Sequence, residues 1–239
     1  MPLTAIVPVH NEAAVLTEVL QGVARQSLKP DELILVLDAC TDGSEVIARR
    51  FPAKLLRVDV RNTATAILAG VSDASNEILV LFDGNTIVPS NYVQTLVEES
   101  DRTDADLVEW HGGMMLLSKS TLHRFGPFSS LHLWTLEYFL RVEAKGGKVV
   151  RLDGPHKRLK RSPLRRNLRY GLDYAELSAR YPIAPFFRIG TKSGWLPDFV
   201  AFGGAVFGHL LRHRIREALR DLSRALHASD SVLLNRKRL

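Results

Sequence analysis

Three uncharged apolar runs in this chain each end on side chains that could do chemistry. Leu79-Val80-Leu81-Phe82 is closed by Asp83, with Gly84-Asn85-Thr86 behind it. Leu33-Ile34-Leu35-Val36-Leu37 is closed by Asp38, and Thr4-Ala5-Ile6-Val7-Pro8-Val9 by His10-Asn11-Glu12. A short apolar run bounded by turn residues reads as a strand buried on both faces. In open α/β sheets, ligands bind outside the carboxyl ends of the strands. A carboxylate there can hold a hard cation against a phosphate, and a neighbouring glycine lets the backbone turn closely. The plainer use of Asp83 is as a turn cap, a common task for aspartate. Asp38 has a similar plain use ahead of a helix that opens at Ser44.

The elements that position these residues alternate. The strand over 4–9 is followed by a helix with Asn11 as its expected N-cap and Val15, Val19, Leu20 and Val23 on one face. Strand 33–37 leads through Asp38-Ala39-Cys40-Thr41-Asp42-Gly43 to a helix over 44–50. A strand over 55–60 and a helix over 63–72 precede the strand that ends at Asp83. Such alternation predicts α/β architecture: a mostly parallel, twisted sheet with crossover helices on its faces. Further on, a helix opening at Ser90, strands at 106–110 and 114–117, helices at 118–124 and 134–145, and a strand at 148–152 complete the expected core. Gly146-Gly147 caps the helix over 134–145. With all three strand ends on one edge, Asn11-Glu12, Asp38 and Asp83 make a polar floor.

Composition sets the outer bounds. The 239 residues carry a net charge of +6 and a single cysteine, Cys40, which excludes an intrachain disulfide and a thiolate zinc cluster. There is no G-x-G-x-x-G after any strand, no P-loop and no G-x-S-x-G elbow. Positive charge concentrates in the acid-free run His-Lys-Arg-Leu-Lys-Arg-Ser-Pro-Leu-Arg-Arg-Asn-Leu-Arg over 156–169 and again over 212–224, where Glu217 and Asp221 dilute it. Composition changes at this point, so residues 1–156 read as one domain and 157–239 as a basic, helical appendage. In the tail, Trp195, Phe199, Phe202, Val206 and Phe207 are flanked by Arg188, Lys192, Arg212 and Arg214. That pattern suits an anionic membrane surface, or else an ordinary packed helix. Residues 195–211 are too short and glycine-rich to span a bilayer. The basic run lacks interleaved aromatics, so nucleic acid is not an expected partner. The first strand begins without a cleavable leader, which predicts a cytoplasmic chain, peripheral at the inner face of the membrane if the tail binds there.

Taken together, Ile6-Val7-Pro8-Val9-His10-Asn11-Glu12, Leu35-Val36-Leu37-Asp38-Ala39-Cys40-Thr41-Asp42-Gly43-Ser44 and Leu81-Phe82-Asp83-Gly84-Asn85 resemble, in order and spacing, the family-2 glycosyltransferases of the GT-A fold. Gly112-Gly113-Met114-Met115-Leu116-Leu117-Ser118-Lys119 is similar to that family's glycine-led strand before the acceptor side. Phe139-Leu140-Arg141, with Gly146 and Lys148-Val149-Val150, is similar to the helix and strand that end its core. The resemblance covers residues 2–156. It implies a nucleotide-diphosphate sugar donor, with Pro8, His10, Glu12 and Asp38 around the base and ribose. It also implies a divalent metal, Mg²⁺ or Mn²⁺, held at Asp83, with Asn85 and His156 as further ligands. The metal would neutralise charge on the leaving diphosphate in an inverting transfer. A lipid-linked acceptor such as a polyprenyl phosphate, or another glycan, would suit the basic tail.

The chain departs from the family pattern at three points, one of them Thr63, which stands where a lysine is often found in the third helix. Asn85 stands where a second aspartate is usual, and an amide oxygen brings less charge to a cation. Trp134 and Thr135 stand where a Glu-Asp pair supplies the base, leaving Glu137, one helical turn on, as the candidate. Glu137 also has a plain use as the i, i+4 partner of Arg141. These departures support an alternative: a GT-A-like binding module with a decayed site, acting as the partner of an active enzyme. If the acceptor is a phosphate, however, it is already ionised and needs no base.

Overall fold

The computed structural model describes residues 1–111 and 113–160, with Asp173, Glu176, Leu177, Arg180 and Tyr181 beyond them. Strands β1 (Leu3–Val9), β2 (Glu32–Asp38), β3 (Lys54–Val58) and β4 (Ile78–Leu81) alternate with helices α1 (Leu16–Ala24), α2 (Ser44–Ala48) and α3 (Thr63–Asp73). Then follow β5 (Thr86–Ile87), α4 (Tyr92–Thr103), β6 (Leu107–His111), β7 (Met114–Ser118), α5 (Lys119–Phe125), α6 (Trp134–Ala144), β8 (Val149–Arg151) and β9 (Lys157–Arg158). The main sheet has the order β3-β2-β1-β4-β7-β6-β8, and β5 and β9 form a separate ribbon. β1 lies between β2 and β4 and is parallel to both, with Val7 opposite Leu35 and Ile6 opposite Leu81. β7 alone is reversed, antiparallel to β4 and to β6, while β8 is again parallel to β6. The expected mostly parallel α/β sheet is therefore the observed one, with a single reversed strand inside it.

The apolar runs that carry no charge are the central strands, and their alternate side chains fill two cores. Val7, Leu35, Val80 and Phe82 pack with Leu16, Leu20, Tyr92 and Trp110 on one face. Ile6, Ile34, Val36, Leu79 and Leu81 pack with Ile67, Phe125, Tyr138 and Phe139 on the other. Burial on both faces is why these strands read as unbroken hydrophobic runs rather than alternating ones. Tyr92, fully buried, closes the first core edge-on to Phe82 and Trp110 and donates its hydroxyl to the Leu81 carbonyl at 2.7 Å.

Two expected details differ. Asn11 does not cap α1, whose first residue is Leu16 and whose N-cap position, Val15, makes no side-chain cap. Instead Asn11 adopts φ 55°, and its side-chain carbonyl accepts the Thr41 N–H at 2.8 Å, so the loop after β1 is tied to the loop after β2. α4 begins at Tyr92 rather than Ser90. The chain divides into two compact units, Met1–Arg161 and Ser162–Leu239. The 195–211 stretch lies outside the described residues; of the tail expected to be helical, Lys157–Arg158 form strand β9 instead, and Asp173, Glu176, Leu177 and Arg180 are helical. No helix among the described residues is long and apolar enough to cross a membrane.

Candidate functional site

Parallel pairing of β2, β1 and β4 brings Asp38, the His10–Glu12 loop and Asp83 to one edge of the sheet. The first two loops are locked together before any ligand arrives. His10 donates from Nδ1 to the Asp38 carbonyl at 2.6 Å, since a carbonyl can only accept. The Glu12 N–H donates to Ser44 Oγ at 2.9 Å, and the Ala13 N–H to Asp42 at 2.9 Å. Asp42 also accepts the Ser44 N–H at 3.0 Å, and these contacts hold its carboxyl below the usual range against the opposing effect of burial. Sequence reading placed Asp42 in a turn and Ser44 at the start of a helix, so their cross-loop role was missed. A hydrogen bond across 29 residues leaves no local spacing signal.

Asp38 has a use that was not foreseen either. Its carboxylate accepts the N–H groups of Val60 at 2.9 Å, Arg61 at 2.8 Å and Asn62 at 3.1 Å, and the residue is 3% exposed. It thereby fixes the turn from β3 into α3, where Arg61 has φ 49° and Asn62 caps the helix by accepting the Thr65 N–H at 3.0 Å. What Asp38 offers this edge is a shaped, polar loop and its own carbonyl, already engaged by His10.

Asp83 leaves β4 in a tight turn. Its carboxylate accepts the Thr86 hydroxyl at 3.0 Å and faces the Asn85 N–H at 3.4 Å. The turn presses against β1, because a Cβ on Gly84 would lie 2.3 Å from the Pro8 carbonyl oxygen. Only glycine allows that approach. The Asn85 side-chain nitrogen lies 3.5 Å from Glu12 Oε1, which joins the third loop to the first.

Residues 154–160 then cross the whole edge as a strap. Gly154 packs against the Trp110 ring, where a Cβ would come within 2.0 Å of it, and Trp110 donates its indole N–H to the Pro155 carbonyl at 3.2 Å. The His156 ring stacks on His111, centroids 3.8 Å apart. Burial first, then the charges of His156 and Arg158, lower the pKa of His111. β9 pairs antiparallel with β5, Arg158 opposite Thr86, and the Leu159 N–H donates to the Asn85 carbonyl at 2.8 Å. Arg158 comes within 3.5 Å of Asp83 Oδ2. Lys160 reaches the Asn11 carbonyl at 3.0 Å and Glu12 at 3.2 Å. The sequence reading placed these two cations only in the acid-free basic run that opens the appendage. The pairing of β5 with β9 that brings them to the site spans about 70 residues and has no local signature.

The structure thus gathers Pro8, His10, Glu12, Asp38, Asp83 and Asn85 at one edge, with His156 on the strap beside them. Hard oxygen donors of the kind Mg²⁺ or Mn²⁺ prefer are present in the Asp83 carboxylate and the Asn85 amide, which fits such an ion with its remaining ligands drawn from elsewhere. Among the described residues no three His, Cys, Asp or Glu side chains converge to complete the set. Glu137 is the correction. It is 4% exposed on the buried face of α6, and its two oxygens accept Arg141 Nε and Nη2, each at 2.9 Å. Arg141 also donates to the carbonyls of Phe125 and Pro127. Glu137 is the i, i+4 partner in a packing ion pair, with both carboxylate oxygens engaged by the guanidinium.

Residues 4–166 match the model of glycosyl transferase family 2. The chain belongs to that family. Among curated relatives it is 31% identical over 112 residues to the glycosyltransferase GlyG of Streptococcus pneumoniae, covering 44% of this chain and 37% of that one. It is 26% identical over 111 residues to the cholesterol galactosyltransferase of Borreliella burgdorferi, covering 44% and 31%. The chain therefore spans about a third of the length of these relatives. Two solved structures show the family's GT-A fold. Glucosyl-3-phosphoglycerate synthase from Mycobacterium tuberculosis, in complex with Mn²⁺, UDP and glucosyl-3-phosphoglycerate, superposes with TM-score 0.66 at 18% identity over 77% of this chain and 81% of that one. The mannosyltransferase PcManGT of Pyrobaculum calidifontis, in complex with GDP-Man and Mn²⁺, gives 0.67 at 18% identity over 92% and 86%. In this family-2 chain the ends of β1, β2 and β4, which carried the resemblance, lie together at one edge of the sheet.

Proposed function

We propose that the protein is a glycosyltransferase that moves a sugar from a nucleoside-diphosphate donor to an acceptor with inversion at the anomeric carbon. The observation that carries the reading is Asp83, closing β4 beside the ends of β1 and β2 in a family-2 chain. Complexes of fold neighbours with UDP or GDP-Man and Mn²⁺ support a nucleotide-sugar donor and a divalent ion. Asp83 and Asn85 would hold that ion, whose charge would offset the negative charge growing on the leaving diphosphate. Pro8, His10 and Glu12 would line the nucleoside, with the loop organised by Asp38 closing around it. In the transfer, an acceptor oxygen forms the new bond to the anomeric carbon as the bond to the diphosphate breaks. The departing electron pair goes to the phosphate oxygen.

Because Glu137 is tied to Arg141, an acceptor that arrives ionised fits this site better than a neutral hydroxyl. A phosphate or carboxylate oxygen needs no base. The expectation of a membrane surface or a lipid-linked acceptor rests on residues outside those described and carries none of this reading. The same tied-up Glu137 favours a second reading, a nucleotide-sugar-binding module without turnover. Donor hydrolysis and transfer, followed by release of UDP or GDP from a panel of nucleotide sugars, test both. Asp83→Asn should lower the rate by about a hundredfold or more. Full activity in that variant would sink the leading reading, and tight donor binding with no release of nucleotide by the unmodified chain would favour the module.

A further inference from the structure

The strap carries more positive charge to Asp83 and Glu12 than a turn cap requires. Arg158 and Lys160 come from one short segment, and both are aimed at the same sheet edge. Four contacts fix that segment: Gly154 on Trp110, His156 on His111, the pairing of β9 with β5, and the Leu159 N–H on the Asn85 carbonyl, which extends that pairing. The side chains stay 41% and 51% exposed, so neither ion pair is sealed in the core. At the same place the usual second carboxylate is an amide, Asn85. A dication held there would have one carboxylate and one neutral oxygen from this turn, and a guanidinium 3.5 Å from that carboxylate. Because Arg158 already faces Asp83 and Lys160 faces Glu12, a dication would gain less there than beside two unpaired carboxylates.

We propose that Arg158 and Lys160 form a built-in anion site for the donor's diphosphate, which lets the protein bind a nucleoside diphosphate without a divalent metal. This rests on the reading of the edge as a sugar-nucleotide site. The planar guanidinium of Arg158 can give paired N–H bonds to two phosphate oxygens, and the ammonium of Lys160 adds a mobile point charge. Before a ligand arrives, Asp83 and Glu12 keep the two cations over the site. Exchange of these partly exposed ion pairs for phosphate contacts costs little, because surface pairs are weak. Arg158 thus makes up for the charge that Asn85 withholds from a metal: it brings to the diphosphate directly what the ion would have brought.

Calorimetric titration of the full chain with UDP, GDP and inorganic pyrophosphate, first in excess EDTA and then in Mn²⁺, tests the proposal. At least one probe should bind in EDTA with an affinity within about tenfold of its value in Mn²⁺. Arg158→Ala should weaken binding in EDTA roughly tenfold or more, and Arg158→Lys by less. The thermal midpoint of either variant should stay near that of the parent, since the side chain fills no core. Binding that requires Mn²⁺ would overturn the inference and leave the donor reading standing. So would binding in EDTA that Arg158→Ala leaves unchanged. Failure of all three probes in both conditions would overturn both together.

Discussion

Gly84 is where the Asp83 turn presses backbone against backbone, and its role is steric rather than chemical. A methyl group there would sit 2.3 Å from the Pro8 carbonyl, a backbone atom that cannot rotate away. Gly84→Ala must therefore push the Asp83 turn off the end of β1, at a cost of roughly 1 to 3 kcal/mol. Urea denaturation should show that loss. Because the shift moves Asp83 relative to His10 and Glu12, affinity for UDP or GDP should fall with it. Unchanged stability would mean that the turn has more room than this contact allows. At this scale much was legible in advance. Asp83, Asp38 and the His10–Glu12 group announce themselves because a polar residue ending an uncharged run is conspicuous. Their partners do not. Asp38 serves three backbone N–H groups 22 to 24 residues away, and nothing in the composition of 60–62 asks for a carboxylate.

Among the elements, α6 separates two uses of a buried acid. Its inward face carries Trp134, Glu137, Tyr138, Phe139 and Val142, and Glu137 is buried there with Arg141, their side chains 5% and 17% exposed. Removing one partner leaves the other charge uncompensated. Glu137→Ala should cost roughly 3 kcal/mol or more, read from the urea midpoint, and Glu137→Leu with Arg141→Met should recover much of it. Affinity for UDP or GDP should not change in either protein. A catalytic Glu137 would give the opposite pattern, lost turnover with intact stability. The periodicity of α6, its bounds and its Gly146 stop were readable because they are local. Whether Glu137 faced a ligand or Arg141 was a matter of tertiary packing, and i, i+4 spacing is compatible with both. The same limit explains the β5–β9 ribbon. Two residues on each side carry no strand pattern, yet their pairing brings Arg158 to Asp83.

For the molecule as a whole, the two cores decide where the folding unit ends. Every buried residue of both clusters lies between Leu3 and Val142, on elements that β8 closes at Arg151. The strap adds little apolar burial to them, and its contacts are stacking, ribbon pairing and ion pairs. A fragment ending at Arg161 should therefore fold by itself. Two of the chain's three tryptophans, Trp110 and Trp134, remain in it and are 4% and 7% exposed, so their emission reports the two cores. Urea should give one cooperative transition, coincident by fluorescence and far-ultraviolet circular dichroism. A second fragment ending at Asp153 keeps both cores but loses the strap. It should unfold in one transition as well, less stable by roughly 1 to 3 kcal/mol because the Trp110 ring and the edge at Thr86 lose their cover. A broad or probe-dependent transition in the longer fragment would show that the core needs the remainder of the chain. Two cooperative transitions of equal midpoint would show that the strap contributes no stability, which leaves binding as the reason for its four points of attachment.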